Sequence, residues 1–323
     1  MVYDLIIVGG GPAGVAAGVY ASRKKLKTLL ISDFIGGQSV VSREIWNFIG
    51  IKSISGLNLA ESFKKQMESQ KNTEIIEGDL VSEIKKNKEG FKIFTKKGKK
   101  IDSKTVLIVS GSRRKKINVP GEKEFDGRGV FYCSICDAPL MRNKTVAVIG
   151  GGNSGFEAVL DLLPYASKIY LLEYTDILSA DVVTQEKINS SAGGTARKMK
   201  KVEIITLAEA REISGEEFVK ELKYKDRRNG NIKKLNIQGV FVSVGYQPNS
   251  EIFKGLVDLN KNNEIIIDPK TQKTSCEGIW AAGDVTDGLY RQINIAIGDA
   301  VKATLNIDSY LYALSMKRSS KKK

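Results

Sequence analysis

Two thiols three positions apart, Cys133 and Cys136, with the carboxyl of Asp137 directly after them, form the most reactive grouping in this 323-residue chain. A Cys-x-x-Cys pair closes a small ring and favours a reversible disulfide. The neighbouring carboxyl can deliver the proton that a leaving thiolate needs. An apolar strand at 145–149 follows and runs into Gly150-Gly151-Gly152-Asn153-Ser154-Gly155, a turn of dinucleotide-binding type. A dithiol just ahead of a hydride-carrier site points to electron flow between a pyridine nucleotide and a disulfide, with a two-faced carrier between them.

Composition narrows the chemistry further. The chain contains no histidine, which excludes Ser-His-Asp and Cys-His catalysis. Proton transfer is left to Asp, Glu, Lys, Tyr or a thiol, and Asp137 stands beside the dithiol. A structural zinc wants four ligands, and Cys276 is the only other thiol, so no metal is expected. Three cysteines do not make a secreted disulfide framework. The N-terminus enters a strand at once, without a basic leader, and no apolar run reaches the ~18 residues of a membrane span. A cytoplasmic protein without a membrane partner is the expectation. The formal net charge of +14 gathers at 96–100, 113–116, 198–201 and 317–323. No helix-turn-helix or aromatic-interleaved motif accompanies it, so these clusters read as solvated faces and no nucleic acid is expected.

The elements that must position this chemistry repeat. The apolar strand 3–8 ends in Gly9-Gly10-Gly11-Pro12-Ala13-Gly14, which fits Gly-x-Gly-x-x-Gly; a helix at 13–25 and a strand at 28–31 follow. Asp33 stands 22 residues after Gly11, where a ribose-binding carboxylate belongs. The second unit repeats the layout with Gly150, Gly152 and Gly155, a helix at 156–163 and a strand at 168–172. Glu173 lies 21 residues after Gly152. The chain therefore binds two dinucleotides. Between the units, 57–72 reads as an amphipathic helix, 74–95 as a small antiparallel addition and 105–109 as a buried strand. The charged stretch 113–120 and the turn 245–248 read as linkers. A helix over 181–190, a strand at 202–205 and hairpins around Arg228-Asn229-Gly230 fill the second unit. A strand at 279–282 leads to Gly283-Asp284. The helix at 293–312 cannot pack alone, so it completes the first domain. The second domain is then an insertion in the first.

The order GGGPAG, GGQ, Asn47, CSICD, GGGNSG, AAGD, RQ resembles the low-molecular-weight thioredoxin reductase family over 4–314. That resemblance implies an α/β fold of two Rossmann-like dinucleotide-binding domains. The FAD-binding domain would comprise 1–115 and 246–315, the inserted NAD(P)H-binding domain 116–245, with a basic disordered tail at 316–323. By similarity, Gly9, Gly11, Gly14 and Asp33, with Pro12 and Ala13 in the same turn, would hold the FAD pyrophosphate and adenosine ribose. Gly37, Gln38 and Asn47 would lie near the flavin, Gly283 and Asp284 on its ribityl-phosphate side, and Arg291 and Gln292 would close over it. Cys136 would be the flavin-proximal thiol, Cys133 the one that attacks a partner disulfide, and Asp137 the acid-base group. Gly150, Gly152, Asn153, Ser154, Gly155 and Glu173 would bind the pyridine nucleotide. Members of the family are usually homodimers. The implied activity is reduction of a thioredoxin-like protein disulfide. Because hydride transfer and dithiol exchange both need the flavin, the inserted domain is expected to swing about its linkers. Glutathione- and lipoamide-type reductases, with another cysteine spacing and a catalytic histidine, fit poorly, as do ferredoxin–NADP reductases, which lack the Cys-x-x-Cys.

The sequence departs from that family in places. NADPH-using members carry a basic segment after the strand at 168–172, where this chain has Glu173-Tyr174-Thr175-Asp176. Glu173 can accept both hydroxyls of an NADH ribose but repels a 2′-phosphate, so NADH is expected over NADPH. LLEYTDILSAD and CDAPL resemble the flavoprotein subunit of alkyl hydroperoxide reductase. Members of that family carry an N-terminal thioredoxin-like domain, so a separate thioredoxin- or glutaredoxin-like carrier would supply it here, serving a peroxiredoxin system in one alternative. An acidic ferredoxin as donor, or a redox-sensing flavoprotein, are further alternatives. Ser110-Gly111-Ser112 replaces Ala-Thr-Gly, Ala138 replaces Gly, and Cys276 reads as a small semi-buried filler.

Overall fold

The computed structural model describes residues 2–42, 45, 47–190 and 201–320. Trp46, the lysines of the 198–201 cluster other than Lys201, and the end of the basic tail at 321–323 lie outside the described residues. In chain order the first stretch supplies β1 (Val2–Val8), α1 (Pro12–Arg23), β2 (Thr28–Ser32), α2 (Gly56–Glu68), β3 (Thr73–Glu77), β4 (Val81–Asn87), β5 (Gly90–Thr95), β6 (Lys100–Ile108) and β7 (Ser112–Arg114). The middle supplies β8 (Val130–Phe131), α3 (Ser134–Asp137), β9 (Thr145–Ile149), α4 (Asn153–Leu162), β10 (Lys168–Leu172), α5 (Val182–Ser190), β11 (Val202–Ile205), β12 (Ala208–Gly215), β13 (Val219–Asp226), β14 (Ile232–Asn236) and β15 (Gly239–Val242). The last part adds β16 (Tyr246–Pro248), β17 (Ile279–Ala281) and α6 (Ile293–Ser320). The chain divides into two compact units at Arg113/Arg114 and Tyr246/Gln247.

The first unit is built on a sheet ordered β3-β2-β1-β6-β5-β4. Strand β6 is long enough to serve two partners on one edge. Its start pairs antiparallel with β5, and Val106 to Ile108 pair in parallel with β17. Period-2 alternation sends Leu5 and Ile7 to one face, against α1, α2 and α6, and Ile6 and Val8 to the other. Both faces are buried, which is why β1 reads as a continuous apolar run. Strand β3, grouped above with the antiparallel addition, instead extends the parallel sheet beside β2; β4 and β5 alone form the hairpin.

The second unit has a five-stranded parallel sheet ordered β11-β10-β9-β15-β8 and a separate antiparallel sheet ordered β12-β13-β14. In β9, Val146 and Val148 pack toward α4, while Ala147 and Ile149 join the cluster that includes Leu222 and Tyr224 of β13. The two crossings of the chain, read above as plain linkers, pair as a ribbon of β7 with β16. The basic tail is also different from the expectation of disorder from 316 onward. Helix α6 continues through Ser320. No Gly or Pro stops it.

Candidate functional site

Each parallel sheet reverses its winding beside its first strand: β1 lies between β2 and β6, and β9 between β10 and β15. Such a switch point opens a crevice at the carboxyl ends of the strands, and a glycine turn sits in each. In the first, Gly9 has φ +124°, and a Cβ there would lie 2.3 Å from the carbonyl oxygen of Val109, just past the strand across the switch. A Cβ at Gly14 would lie 2.0 Å from the Gly9 oxygen. Gly11 is different: a Cβ there would meet only the Gly37 Cα, at 3.8 Å. Gly9 and Gly14 are thus demanded by packing, and Gly11 by whatever approaches from outside. Gly11 is also the N-cap of α1, with Pro12 at the first turn and no side chain capping it. Its first-turn N–H groups are left for an anion.

The second turn repeats these relations. Gly150 has φ +116°, and a Cβ there would lie 2.4 Å from the Ser243 oxygen; a Gly155 Cβ would lie 1.7 Å from the Gly150 oxygen, and Gly152 caps α4 without a side-chain bond. Asn153 Oδ1 accepts from the Asp181 N–H at 2.7 Å, and Ser154 follows in the same turn. A cleft of about 840 Å³ opens here, lined by 116–120, 149–154, 172–174, Ser179, 208–211 and 243–245. Glu173 stands in it. Its Oε2 accepts from the Gly151 N–H at 2.6 Å, and its Oε1 accepts from the Thr175 N–H and hydroxyl, both at 2.8 Å. Tyr174 lines the same cleft, with the Arg227 guanidinium 3.9 Å from its ring centroid. Lys116 and Arg211 add positive charge suited to a pyrophosphate.

Other predicted residues of the first unit come together from far apart in sequence. Gly283 lies beside Ala13: a Cβ on it would be 3.5 Å from the Ala13 Cβ. Asn47 Nδ2 donates to Gln292 Oε1 at 3.0 Å across 245 residues, and Asn294 Nδ2 donates to the Asn47 carbonyl at 2.7 Å. Burial pushes the Asp284 carboxyl up, opposed by Arg291 and by the Ser112 hydroxyl, which donates to it at 3.4 Å. Arg291 pairs with Glu264. Asp33 and Gln38 are exposed on the segment after β2. Ser110, one of the departures from the family pattern, donates to the Asn249 carbonyl at 2.8 Å. Cys276 is free and packs partly against the apolar cluster of the first sheet, as a filler would. These residues fit a dinucleotide: an uncapped helix start, a glycine open to the outside, and a carboxylate at the end of the second strand.

Cys133 is disulfide-bonded, and the Asp137 N–H donates to its carbonyl at 3.1 Å, closing one turn around the pair. Tyr132, just before it, donates its hydroxyl to Glu122 at 2.9 Å; burial first, then Glu122, pushes the phenol far up. The same Glu122 is buried and accepts the N–H groups of Ile117 and Asn118, at 3.0 and 2.7 Å, in the cleft wall. Sequence reading missed this wall and the stretch 208–211. The one available signal was position, since 208–211 begins three residues after a parallel strand ends.

The model of the pyridine nucleotide-disulphide oxidoreductase family matches residues 3–300. The chain belongs to that family. It is 39% identical over 309 residues to an alkyl hydroperoxide reductase subunit of Staphylococcus aureus (strain Mu50), covering 96% of this chain and 59% of the relative. It is 38% identical over 309 residues to a Bacillus subtilis protein named NADH dehydrogenase, covering 96% and 58%. The chain thus spans less than two thirds of the length of these two relatives. The crystal structure of thioredoxin reductase from Streptococcus pyogenes MGAS5005 superposes with a TM-score of 0.76 at 31% identity, covering 97% of this chain and 99% of that one. The family and this likeness bear out the expected α/β fold with two Rossmann-like dinucleotide-binding units. Among the described residues, no helix is long and apolar enough to cross a membrane.

Proposed function

We propose that this chain is an FAD-dependent oxidoreductase that carries electrons from NADH to the Cys133–Cys136 disulfide and on to the disulfide of a thioredoxin- or glutaredoxin-like protein. The observation that carries this reading is the joint presence, on one compact unit, of a disulfide-bonded Cys133 and a dinucleotide cleft containing Glu173. A bound flavin would supply two-electron transfer between a nicotinamide and a disulfide. The chain does the rest. The open backbone at Gly11 and the start of α1 receive the FAD pyrophosphate, Asp33 the adenosine ribose, and Asp284 the ribityl side. Gly37, Gln38, Asn47, Arg291 and Gln292 would border the flavin. Gly152 and the start of α4, with Lys116 and Arg211, take the NADH pyrophosphate.

Glu173 decides between the two nicotinamides. Its carboxylate is already held by Gly151 and Thr175, with acceptor capacity left for a ribose diol; a 2′-phosphate in the same place meets like charge. Cys133 is the thiol that attacks the carrier disulfide, Cys136 the one nearer the flavin, and Asp137 protonates the departing thiolate. Likeness to an alkyl hydroperoxide reductase favours a carrier that serves a peroxiredoxin.

Anaerobic titration of the yellow protein tests this reading. NADH is expected to bleach the flavin at concentrations at least about tenfold below those of NADPH, the ratio one misplaced charge is worth. Cys133→Ser is expected to keep that bleaching and abolish reduction of a thioredoxin disulfide. Equal bleaching by NADPH removes the Glu173 assignment. Undiminished carrier reduction by Cys133→Ser removes the dithiol route.

A further inference from the structure

Asp161 is a carboxyl that neither nucleotide turn uses. It sits in the last turn of α4, where the unpaired carbonyls disfavour negative charge. Among the described residues it makes no ion pair, and its Oδ2 accepts the Ser134 hydroxyl at 2.7 Å. Ser134 is the first residue of α3 and stands between Cys133 and Cys136. One helix therefore begins at the glycine turn of the nucleotide cleft and ends holding the residue inside the dithiol loop. Burial raises the Asp161 carboxyl above its ordinary range, against the effect of the Ser134 hydrogen bond. A half-buried acid at this helix end is locally unfavourable, and among the described residues its one hydrogen bond is to the dithiol segment.

We propose that Asp161 is a positioning residue for the Cys133–Cys136 couple. By holding the Ser134 hydroxyl it fixes the start of α3, and so sets how readily the disulfide is reduced. Reduction breaks one S–S bond, takes up two electrons and two protons, and leaves two thiols. Asp161 supplies none of these; it acts on the geometry from which the thiols reclose. A disulfide tolerates a narrow range of Cα and Cβ separations. A loosened α3 lowers the effective concentration of one thiol at the other and favours the open dithiol. The inference rests on these cysteines being the redox couple.

The test equilibrates the full-length, FAD-loaded protein with reduced and oxidised dithiothreitol, quenches it with an alkylating agent, and measures the reduced fraction of the Cys133 peptide by mass. Asp161→Ala and Ser134→Ala are each expected to shift the equilibrium constant about threefold to tenfold toward the dithiol, a shift of ~15–30 mV. The double variant is expected to move no further than either single one, because both remove the same bond. Asp161→Asn keeps an acceptor for the hydroxyl and is expected to stay at the wild-type value. Flavin bleaching by NADH is expected to be unchanged in all of them. Should Asp161→Ala fail to fold, Ser134→Ala against Asp161→Asn still decides. A wild-type constant for Ser134→Ala, or an Asp161→Asn shifted like Asp161→Ala, overturns the positioning role alone. A Cys133 that dithiothreitol never reduces overturns the redox couple itself.

Discussion

The two glycine turns share a backbone and differ in what stands behind it. In both, the first and third glycines are fixed by carbonyl oxygens too close for any Cβ, and the middle one caps a helix. The acids at the ends of the following strands part company. Glu173 is tied to Gly151 and Thr175, whereas Asp33 is exposed and its side chain has no hydrogen bond among the described residues. Under the proposed function, the second site would have part of its selectivity built into the protein, and the first would leave its acid to the ligand. The difference teaches that a shared fingerprint specifies a phosphate cradle, while the base and ribose are chosen by neighbours it does not encode.

The largest test asks whether the turns are independent. A methyl at Gly14 or Gly155 would sit 2.0 or 1.7 Å from a carbonyl oxygen, so each substitution by Ala costs about 3 kcal/mol or more in overpacking and backbone shift. Gly14→Ala is expected to lose the yellow chromophore. Gly155→Ala is expected to keep it but resist bleaching by NADH. Loss of flavin from Gly155→Ala would break the comparison. Next come the acids. Glu173→Ala is expected to weaken NADH binding by about tenfold and to cost about 1 kcal/mol in denaturant unfolding, because two N–H groups lose their partner. Asp33→Ala is expected to weaken flavin retention with no loss of stability in the flavin-free protein. Equal stability losses would erase the distinction.

Opposite pH slopes sharpen it further. Asp284, in the first unit, has a carboxyl raised by burial. Its contribution is full below the ordinary carboxylate range, about pH 4, and is lost as pH rises through the raised value. Asp226, in the second, is lowered chiefly by its hydrogen bond from Lys233. Its contribution is present above the ordinary range and lost as pH falls through the lowered value. Relative to wild type, Asp284→Asn is therefore expected to gain stability on raising the pH from 4 to 7. Asp226→Asn is expected to be less stable at pH 7 and to converge on wild type in acid. Thermal unfolding of the flavin-free protein across that range reads both. The smallest effect belongs to an exposed pair. Lys24→Gln removes the 2.9 Å contact with Asp308 between α1 and α6, for about 0.5 kcal/mol or less, and both nucleotide sites are expected to be unchanged.

Much of the site was legible because its demands are local. A glycine required by a carbonyl five residues away, as Gly14 is by Gly9, leaves its mark at a fixed spacing. So does an apolar run buried on both faces, as in β1. Strand β3 was misassigned because five residues of mixed polarity look alike at a parallel edge and in a hairpin; its partner, β2, decides. The tail shows the opposite: its lysine-rich composition suggests disorder, yet as far as Ser320 it continues helix α6, with no Gly or Pro to stop it.

By itself the sequence determined that there are two phosphate cradles, one dithiol and no histidine, and therefore what chemistry the chain has at hand. Those features depend on residue type and near spacing. Tertiary structure decided which distant groups touch one another. It placed Asn47 beside Gln292, Gly283 beside Ala13, the 116–120 and 208–211 stretches in one cleft wall, and Asp161 on Ser134. A parallel sheet gathers the ends of strands that are far apart in the chain, and no short-range pattern records which side chains meet there.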